Sequence, residues 1–312
     1  MITAIPRGGG ALADRIAARL NAPTDPAVTD FAKALADAAG AQAVLFYGSN
    51  LRTGALDGVL DFYILLPGDQ ESAIWPTVSY HERAQGETTL RAKVATMRLA
   101  TFARAASGAL IDTTIWARFV QPSALVWAKS DAVQDEVIAA ISAACITAAQ
   151  LAAALGPASG LAEDYWRALF RATYKAEFRV EKRGRENDIL SVNADHFAGL
   201  LPLALEAGGI APDQQGAILT PQVAPAERRR VLGWWRRRQR LGRPLNLIRL
   251  VKASATFDGA ARYAAWKIER HTGMPVKVTR LRERFPLLAA PRVLWDLYQH
   301  RRRNAAWDTD PG

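Results

Sequence analysis

The residues best suited to chemistry lie between two short apolar runs near the start of the chain. Ala43–Tyr47 ends at the turn Gly48-Ser49, and Asp57 and Asp61 follow, with Asp61 inside the run Val59–Leu66. A glycine lets backbone N–H groups approach a phosphate closely, and a serine can donate from both its amide and its hydroxyl. The turn therefore predicts a loop that binds phosphate groups.

The local sequence pattern gives the Asp61 carboxylate no structural role. Asp61 stands between Leu60 and Phe62 in a run typical of a strand, where burying an unpaired charge is very costly. We therefore expect it to lie at a strand end or to bind something, and Mg²⁺ suits a carboxylate that faces a phosphate-binding turn. Asp57 and Asp61 are the predicted metal ligands, and the predicted chemistry is phosphoryl or nucleotidyl transfer.

This arrangement resembles the nucleotidyltransferase superfamily, whose signature is a strand, a Gly-Ser turn and an acidic residue or pair on the next strand. The superfamily often has a second acid two residues after the first, where this chain has Tyr63. The second metal ligand is therefore expected to be Asp57 or an acid elsewhere in the chain.

A closer resemblance runs in consistent order from Val44 to Asn187. Over these residues the chain resembles the mitochondrial-type phosphatidate cytidylyltransferases, the translocator assembly and maintenance family. The segments that carry the resemblance are Tyr47-Gly-Ser49, Asp61-Phe62, Lys93-Val94, Arg118-Phe-Val-Gln-Pro122, Thr173–Val180 and Glu186-Asn187.

The resemblance implies a reaction in which CTP and phosphatidate give CDP-diacylglycerol and pyrophosphate, with Mg²⁺ as the cofactor. It implies catalytic roles for Asp61, Ser49 and Lys93. The residues that it implies in binding the nucleotide are Gly48, Ser49, Lys93, Arg118, Tyr174, Glu177 and Arg179. No general base is required, because a phosphate monoester is already largely a dianion at neutral pH.

The elements that must position these residues indicate an α+β fold. Two alanine-rich segments, Ala11–Leu20 and Asp25–Ala39, predict helices before the two strands described above. Further along, the pattern predicts a helix over Thr89–Ser107 and a strand around Leu125–Trp127. The uncharged segment Val137–Leu161 has apolar residues at helical spacing, which predicts a buried core helix rather than a transmembrane span.

Composition divides the chain into three parts. With the resemblance, residues 1–156 are expected to form a nucleotidyltransferase-like mixed-sheet domain with N-terminal helices, and the helical pattern of residues 157–245 predicts a mainly helical second domain. Residues 246–312 predict a basic C-terminal region that associates with a membrane. Within the second part, helices are predicted over Glu163–Arg179 and around His196–Leu205.

Charge is divided unevenly between the two halves. Up to Gly156, 12 Lys and Arg stand against 14 Asp and Glu, whereas the rest of the chain has 28 against 16. Arg228–Arg243 holds eight arginines around Trp234-Trp235, and a last predicted helix, Pro291–Arg303, ends in three arginines. Such a charge predicts an anionic partner, either a membrane or RNA, and tryptophan beside arginine suits a headgroup layer as well as base stacking.

A single cysteine, Cys145, and an N-terminus without an apolar leader predict a cytoplasmic protein. With the resemblance, we expect a peripheral enzyme on the cytoplasmic face of the inner membrane, whose partner is anionic lipid and not nucleic acid. Two other hypotheses stay open. One is a nucleotidyltransferase that acts on RNA or a small molecule, and the other is an inactive nucleotide- or nucleic-acid-binding module, which Tyr63 favours. The sequence leaves the oligomeric state open.

Overall fold

A computed structural model of the chain describes residues 10–72, 74–86, 88–177, 185–256, 258–272 and 279. These residues form an α+β fold with a mixed five-stranded sheet, which confirms the fold class at that level. The strands are β1 (Ala43–Tyr47), β2 (Val59–Leu66), β3 (Thr77–Gln85), β4 (Thr88–Arg98), β5 (Ser123–Ala128), β6 (Gly160–Leu161), β7 (Pro212–Gln215) and β8 (Ile218–Pro221). The helices are α1 (Ala11–Leu20), α2 (Pro26–Ala39), α3 (Ser49–Thr53), α4 (Leu99–Ala106), α5 (Thr114–Phe119), α6 (Asp131–Leu155), α7 (Ala162–Glu177), α8 (Arg185–Val192), α9 (Ala194–Phe197), α10 (Leu200–Ala207), α11 (Pro225–Thr256) and α12 (Ala260–Thr272).

The main sheet has the strand order β3-β4-β2-β1-β5. β1 lies antiparallel to both β2 and β5, β2 lies parallel to β4, and β3 and β4 form an antiparallel hairpin. A smaller sheet has the order β6-β8-β7. β2 lies between β1 and β4, so its side chains have neighbours on both of these strands.

Each face of the main sheet packs against its own helices. Phe46 and Phe62 belong to one buried cluster with α2, whereas Leu45 and Leu65 belong to a larger cluster with α6. Successive side chains of a strand point to opposite faces, so this alternation assigns every strand residue to the α2 face or the α6 face. The larger cluster also includes Trp235 from α11, so one core contains residues from both sides of Gly156.

The central helix α6 is apolar on all sides from Val137 onward. It is the one helix in the described ranges that is long and apolar enough to cross a membrane, yet 89% of that apolar window is buried inside the protein. Its N-terminus is capped by Ser130, whose hydroxyl accepts a hydrogen bond from the amide of Val133. The prediction of a buried core helix is confirmed over Val137–Leu155, whereas residues 156–161 of the predicted segment follow the end of the helix.

The predicted helix over Thr89–Ser107 is wrong in its first half. Residues up to Arg98 form β4, and the helix begins only at Leu99. β4 lies inside the sheet with both faces covered, and its buried residues include Ala92 and Ala95, which also favour helices. The strand β3, which pairs with β4, was missed as well, because the hairpin that the two strands form was not recognised.

Smaller corrections concern the helical half. The predicted helix around His196–Leu205 is two short helices, α9 and α10, separated by Gly199 in the left-handed region at φ +70°. The helix predicted over Glu163–Arg179 is α7, which is described from Ala162 to Glu177, and residues 178–179 lie outside the described residues. α11 runs through residue 245, and the division into three parts stays a prediction. The last predicted helix, Pro291–Arg303, lies outside the described residues.

Candidate active site

The turn after β1 lies close to the Asp61 carboxylate. Gly48 has φ +91°, and a Cβ atom built on it would lie 3.0 Å from Asp61 Oδ2, which is tighter than ordinary contact. Only glycine therefore suits this position in both backbone conformation and space. Ser49 begins the short helix α3, and its side chain is exposed beside this turn.

Strand register gives Asp61 two polar neighbours. Tyr47 on β1 is directly opposite Asp61, and Lys93 on β4 is opposite it on the other side. Directly opposed residues share a face of the sheet, so all three side chains lie on the α6 face. Lys93 is exposed and Asp61 is half-buried, so the cluster opens to solvent at this end of the sheet. The structure thus brings together Gly48, Asp61 and Lys93, as the resemblance implies.

Arg118 joins the cluster from α5. Its guanidinium carbon lies 5.1 Å from the ring centroid of Tyr47 and 5.8 Å from that of Tyr63. Its Nη1 donates a hydrogen bond of 3.1 Å to the Tyr47 hydroxyl. Burial raises the pKa of Tyr47 although the Arg118 charge opposes the rise, so this hydroxyl stays protonated and accepts through its oxygen. Arg118 is thereby fixed near Asp61 by two rings.

The charge on Asp61 is set by opposing effects. Burial raises the pKa of this carboxyl, whereas the positive charges of Lys93 and Arg118 lower it. The result is a partly desolvated carboxylate beside two cations. Such an arrangement can hold a divalent cation on the carboxylate and the oxygens of a polyphosphate on the lysine and arginine.

Asp57, the second predicted metal ligand, has a different partner. Arg270 on α12 donates a 2.8 Å hydrogen bond to the Asp57 carbonyl oxygen and lies 3.3 Å from its Oδ2. The Asp57 side chain is 77% exposed. Among the residues that the structure describes, no group of three or more His, Cys, Asp and Glu side chains forms a metal cage.

Of the three binding residues predicted in this segment, Tyr174 and Glu177 belong to the described part of α7. Tyr174 is half-buried and packs against the larger core cluster. Glu177 is the last residue of α7, and Arg179 lies outside the described residues. The structure therefore places Tyr174 in the helical layer and leaves the roles of Glu177 and Arg179 as predictions.

Two residues of this region were missed as contributors. Tyr47 was noted only as part of the turn motif, yet it is the ring on which Arg118 rests. Pairing the two predicted strands could have suggested that Tyr47 faces Asp61, but the long connection between them leaves the register open. Arg270 is 213 residues from Asp57, and no sequence signal joins them.

The arginine-rich helix α11 uses its tryptophans internally. Trp235 is 2% exposed, and Trp234 packs on Trp116 with ring centroids 5.9 Å apart and donates from Nε1 to the Gly108 carbonyl. The prediction that this pair meets a headgroup layer or RNA bases is therefore wrong for Trp235 and stays a prediction for the half-buried Trp234. Trp235 is a core residue, because the buried side of α11 faces α5 and α6. The arginines exposed on the other side of this helix are Arg229, Arg230, Arg236, Arg237 and Arg240.

Comparison with known proteins found no matching family and no curated protein of significant sequence similarity. The resemblance described above therefore depends on the motifs alone, and the geometry of the Asp61 cluster is the structural feature that bears on function.

Proposed function

We propose that the chain is a Mg²⁺-dependent nucleotidyltransferase, and specifically a CTP:phosphatidate cytidylyltransferase. The observation that carries the proposal is the position of the Asp61 carboxylate, which leaves no room for a Cβ atom on Gly48 and lies beside Lys93 and within the influence of the Arg118 charge. A strand, a Gly-Ser turn and an acid on the neighbouring strand form the signature of nucleotidyltransferases, and the sheet supports it with β1 and β2 side by side.

Asp61 suits a magnesium ion that is shared with the substrate. Mg²⁺ commonly takes one or two protein carboxylates and completes its coordination with substrate phosphates and water. Asp61 would hold the ion together with oxygens of the triphosphate, and Mg²⁺ bound there supplies neutralisation of the phosphate charge. Asp57, which is paired with Arg270, is not needed for such a site.

The protein's own groups have separate roles in the proposed reaction. Lys93 and Arg118 hold the triphosphate and stabilise the charge that develops on it, and the Ser49 amide and hydroxyl contact its oxygens. A phosphate oxygen of the acceptor forms a bond to the α-phosphorus while the bond from that phosphorus to the bridging oxygen breaks. Pyrophosphate then leaves with the bonding electrons. The acceptor is already a dianion, so no side chain has to remove a proton.

A lipid acceptor is supported by the charge of the second half of the chain. Arg229, Arg236, Arg237 and Arg240 are exposed on α11, and Leu241 on the same helix is 42% exposed. Exposed arginines beside an exposed apolar side chain suit the surface of an anionic membrane. We therefore propose peripheral attachment to the cytoplasmic face of the inner membrane.

The test is pyrophosphate release with each of the four ribonucleoside triphosphates, Mg²⁺ and phosphatidate vesicles. We expect release with CTP that requires the lipid and falls at least about a thousandfold in Asp61→Asn, because the ligand carboxylate is lost. The matched control is Asp37→Asn, an exposed carboxylate on α2 that pairs with Lys33 and should leave the rate unchanged. Release with RNA or a soluble acceptor in place of lipid would retain the nucleotidyltransferase and refute the lipid substrate.

An inactive nucleotide-binding module is the competing candidate, and Tyr63 favours it. This residue occupies the position of the frequent second acid, is 2% exposed, and packs against Phe119 with ring centroids 5.2 Å apart. It is thus a core residue and not a ligand. If the module is inactive, no acceptor should yield pyrophosphate, and Mg²⁺-CTP binding should be the same in Asp61→Asn and in the unmodified protein.

A further inference from the structure

Helix α12 lies against the hairpin of β3 and β4, next to the Asp61 cluster. The chain enters this helix along the edge strand β3, where the Tyr80 amide donates a 2.8 Å hydrogen bond to the Asp258 carbonyl oxygen. A Cβ atom on Gly259 would lie 2.8 Å from the Tyr80 carbonyl oxygen, so only glycine lets the two backbones approach this closely. Tyr80 packs on Tyr263 of α12 with ring centroids 5.5 Å apart, and it is directly opposite Lys93 in the strand register. The helix therefore begins beside a neighbour of Lys93.

One face of α12 carries Tyr263, Trp266 and Arg270, which are spaced three and four residues apart. The indole of Trp266 stacks with the Tyr263 ring, and the guanidinium carbons of Arg91 and Arg270 each lie 5.3 Å from its ring centroid. Arg91 is two residues before Lys93 on β4, so both side chains lie on the same face of the sheet. Arg270 is thus held by an indole that rests on the strand of Lys93.

Arg270 also contacts the connection between α3 and β2. It donates a 2.8 Å hydrogen bond to the Asp57 carbonyl oxygen, and its Nη2 lies 3.3 Å from Asp57 Oδ2. Asn50 ties the same connection to the predicted phosphate-binding turn. Its side chain accepts from the Ser49 hydroxyl at 3.3 Å and donates to the Ala55 carbonyl oxygen at 2.7 Å. Hydrogen bonds therefore hold both ends of this connection, one to the turn and one to α12.

We propose that Asp57 is a positioning residue, which together with Arg270 and Asn50 holds the Gly48-Ser49 turn in a fixed place relative to Lys93. The turn and Lys93 must contact the same triphosphate, so their separation determines whether both can bind it at once. This inference rests on the proposed nucleotide site, and it replaces the role of metal ligand that the sequence suggests for Asp57. Because the shorter hydrogen bond goes to the Asp57 backbone, the Arg270 guanidinium matters more than the exposed Asp57 carboxylate.

Hydrogen exchange of backbone amides in residues 49–58 tests the contact in the full chain without any ligand. The Gly54 amide, which donates to the Asn50 carbonyl oxygen at 2.9 Å, reports on α3. Arg270→Ala should speed exchange in this segment about tenfold, because a charged donor that holds the connection is lost. The matched control is Lys267→Ala, which removes an exposed cation that lies over a tyrosine ring of the same helix, and its exchange should stay within about twofold. Unchanged exchange in Arg270→Ala would overturn the proposal, whether or not the protein transfers nucleotides.

Steady-state kinetics distinguish positioning from metal binding. Arg270→Ala should raise KM for CTP about tenfold and change kcat less than about threefold, because the turn binds the triphosphate before and during the reaction. Asp57→Asn should change KM less than about threefold, since asparagine keeps the backbone carbonyl and offers Arg270 an acceptor oxygen. Arg270→Lys keeps a charged donor and should fall between the unmodified protein and Arg270→Ala.

A metal ligand at position 57 would give the reverse order and overturn the proposal. Asp57→Asn would then lower kcat more than Arg270→Ala does and raise the Mg²⁺ concentration that gives half the maximal rate. If no acceptor yields pyrophosphate, the proposed reaction fails, and calorimetric titration with Mg²⁺-CTP measures the same effect as a dissociation constant. Equal dissociation constants in Arg270→Ala and the unmodified protein would overturn the positioning role.

Discussion

Two arginines of this protein lie over aromatic rings, and their surroundings give them different roles. The guanidinium carbon of Arg238 is 3.8 Å from the ring centroid of Trp234, and its nitrogens donate to the carbonyl oxygens of Gly108 and Leu110. Arg118 lies over Tyr47 and Tyr63 and donates a hydrogen bond to the Tyr47 hydroxyl. One arginine is built into the core, and the other stands beside a carboxylate.

The two arginines differ in role because their guanidinium groups face different partners. Arg238 is 4% exposed, and burial lowers its pKa to about 10, which is still far above neutral. Its charge faces backbone carbonyls and fixes α11 on the loop after α4. The charge of Arg118 instead lowers the pKa of Asp61. The same pairing of arginine with an aromatic ring therefore serves stability in one place and the chemistry of a site in the other.

The largest effect is expected from removing the buried arginine. Arg238→Ala should lower the free energy of unfolding by about 3 kcal/mol, because the carbonyl oxygens of Gly108 and Leu110 each lose a charged donor and the side-chain packing is lost. Urea denaturation measures this, with pyrophosphate release per folded molecule unchanged. The control is Arg237→Ala, an exposed neighbour that should change the unfolding energy by less than about 0.5 kcal/mol. Equal urea midpoints for both variants would contradict the structural role.

Arg118→Ala should lower activity much more than it lowers the free energy of unfolding. We expect kcat/KM for CTP to fall about a hundredfold, which is about 2.7 kcal/mol of transition-state stabilisation, and stability to fall by only about 1 kcal/mol. The acid limb of the pH–rate profile should move to higher pH, because the charge that lowers the pKa of Asp61 is gone.

Two variants control the Arg118 experiment. Arg118→Lys retains the charge and should retain most of the acid limb, whereas Arg104→Ala removes an exposed arginine on α4 and should leave rate and profile unchanged. A loss of stability in Arg118→Ala as large as that in Arg238→Ala, with full activity, would show that the two arginines do not differ in role.

Local signals predicted the part of the site that is formed within a short stretch of chain. The run ending at Tyr47, the glycine of the turn and the isolated Asp61 all lie within two neighbouring strands, and each depends on backbone preference or on the cost of burying a charge. The helix that begins at Pro26 was predicted equally well, because Asp25 caps it by accepting from the Ala27 amide at 2.8 Å.

Contacts between distant segments could not be predicted in the same way. Lys93 was predicted in the site from the resemblance, but the surrounding segment was interpreted as a helix, so its register with Asp61 was unknown. Composition likewise identified the tryptophan pair of α11 without showing which side of the helix is buried. That side is decided by Trp116, more than a hundred residues earlier in the chain, which packs on both indoles.

The smallest effect concerns the stability of the protein without ligands, and its sign follows from the environment of Asp61. Burial raises the pKa of this carboxyl in the folded state, so the folded protein holds the proton more tightly than the unfolded chain does. Stability from this group therefore falls as pH rises from the ordinary carboxyl pKa through the raised one, and it stays lower above that range.

At neutral pH, Asp61→Asn should then have a higher melting temperature than the unmodified protein. The corresponding gain in the free energy of unfolding should be on the order of 1 kcal/mol or less. The difference should disappear below the ordinary carboxyl pKa, where Asp61 is protonated in both states, and Asp37→Asn should show no such pattern. A neutral-pH melting temperature that is lower in Asp61→Asn would mean that the carboxylate stabilises the fold through Lys93 and Arg118, and that this cluster serves stability, as Arg238 does.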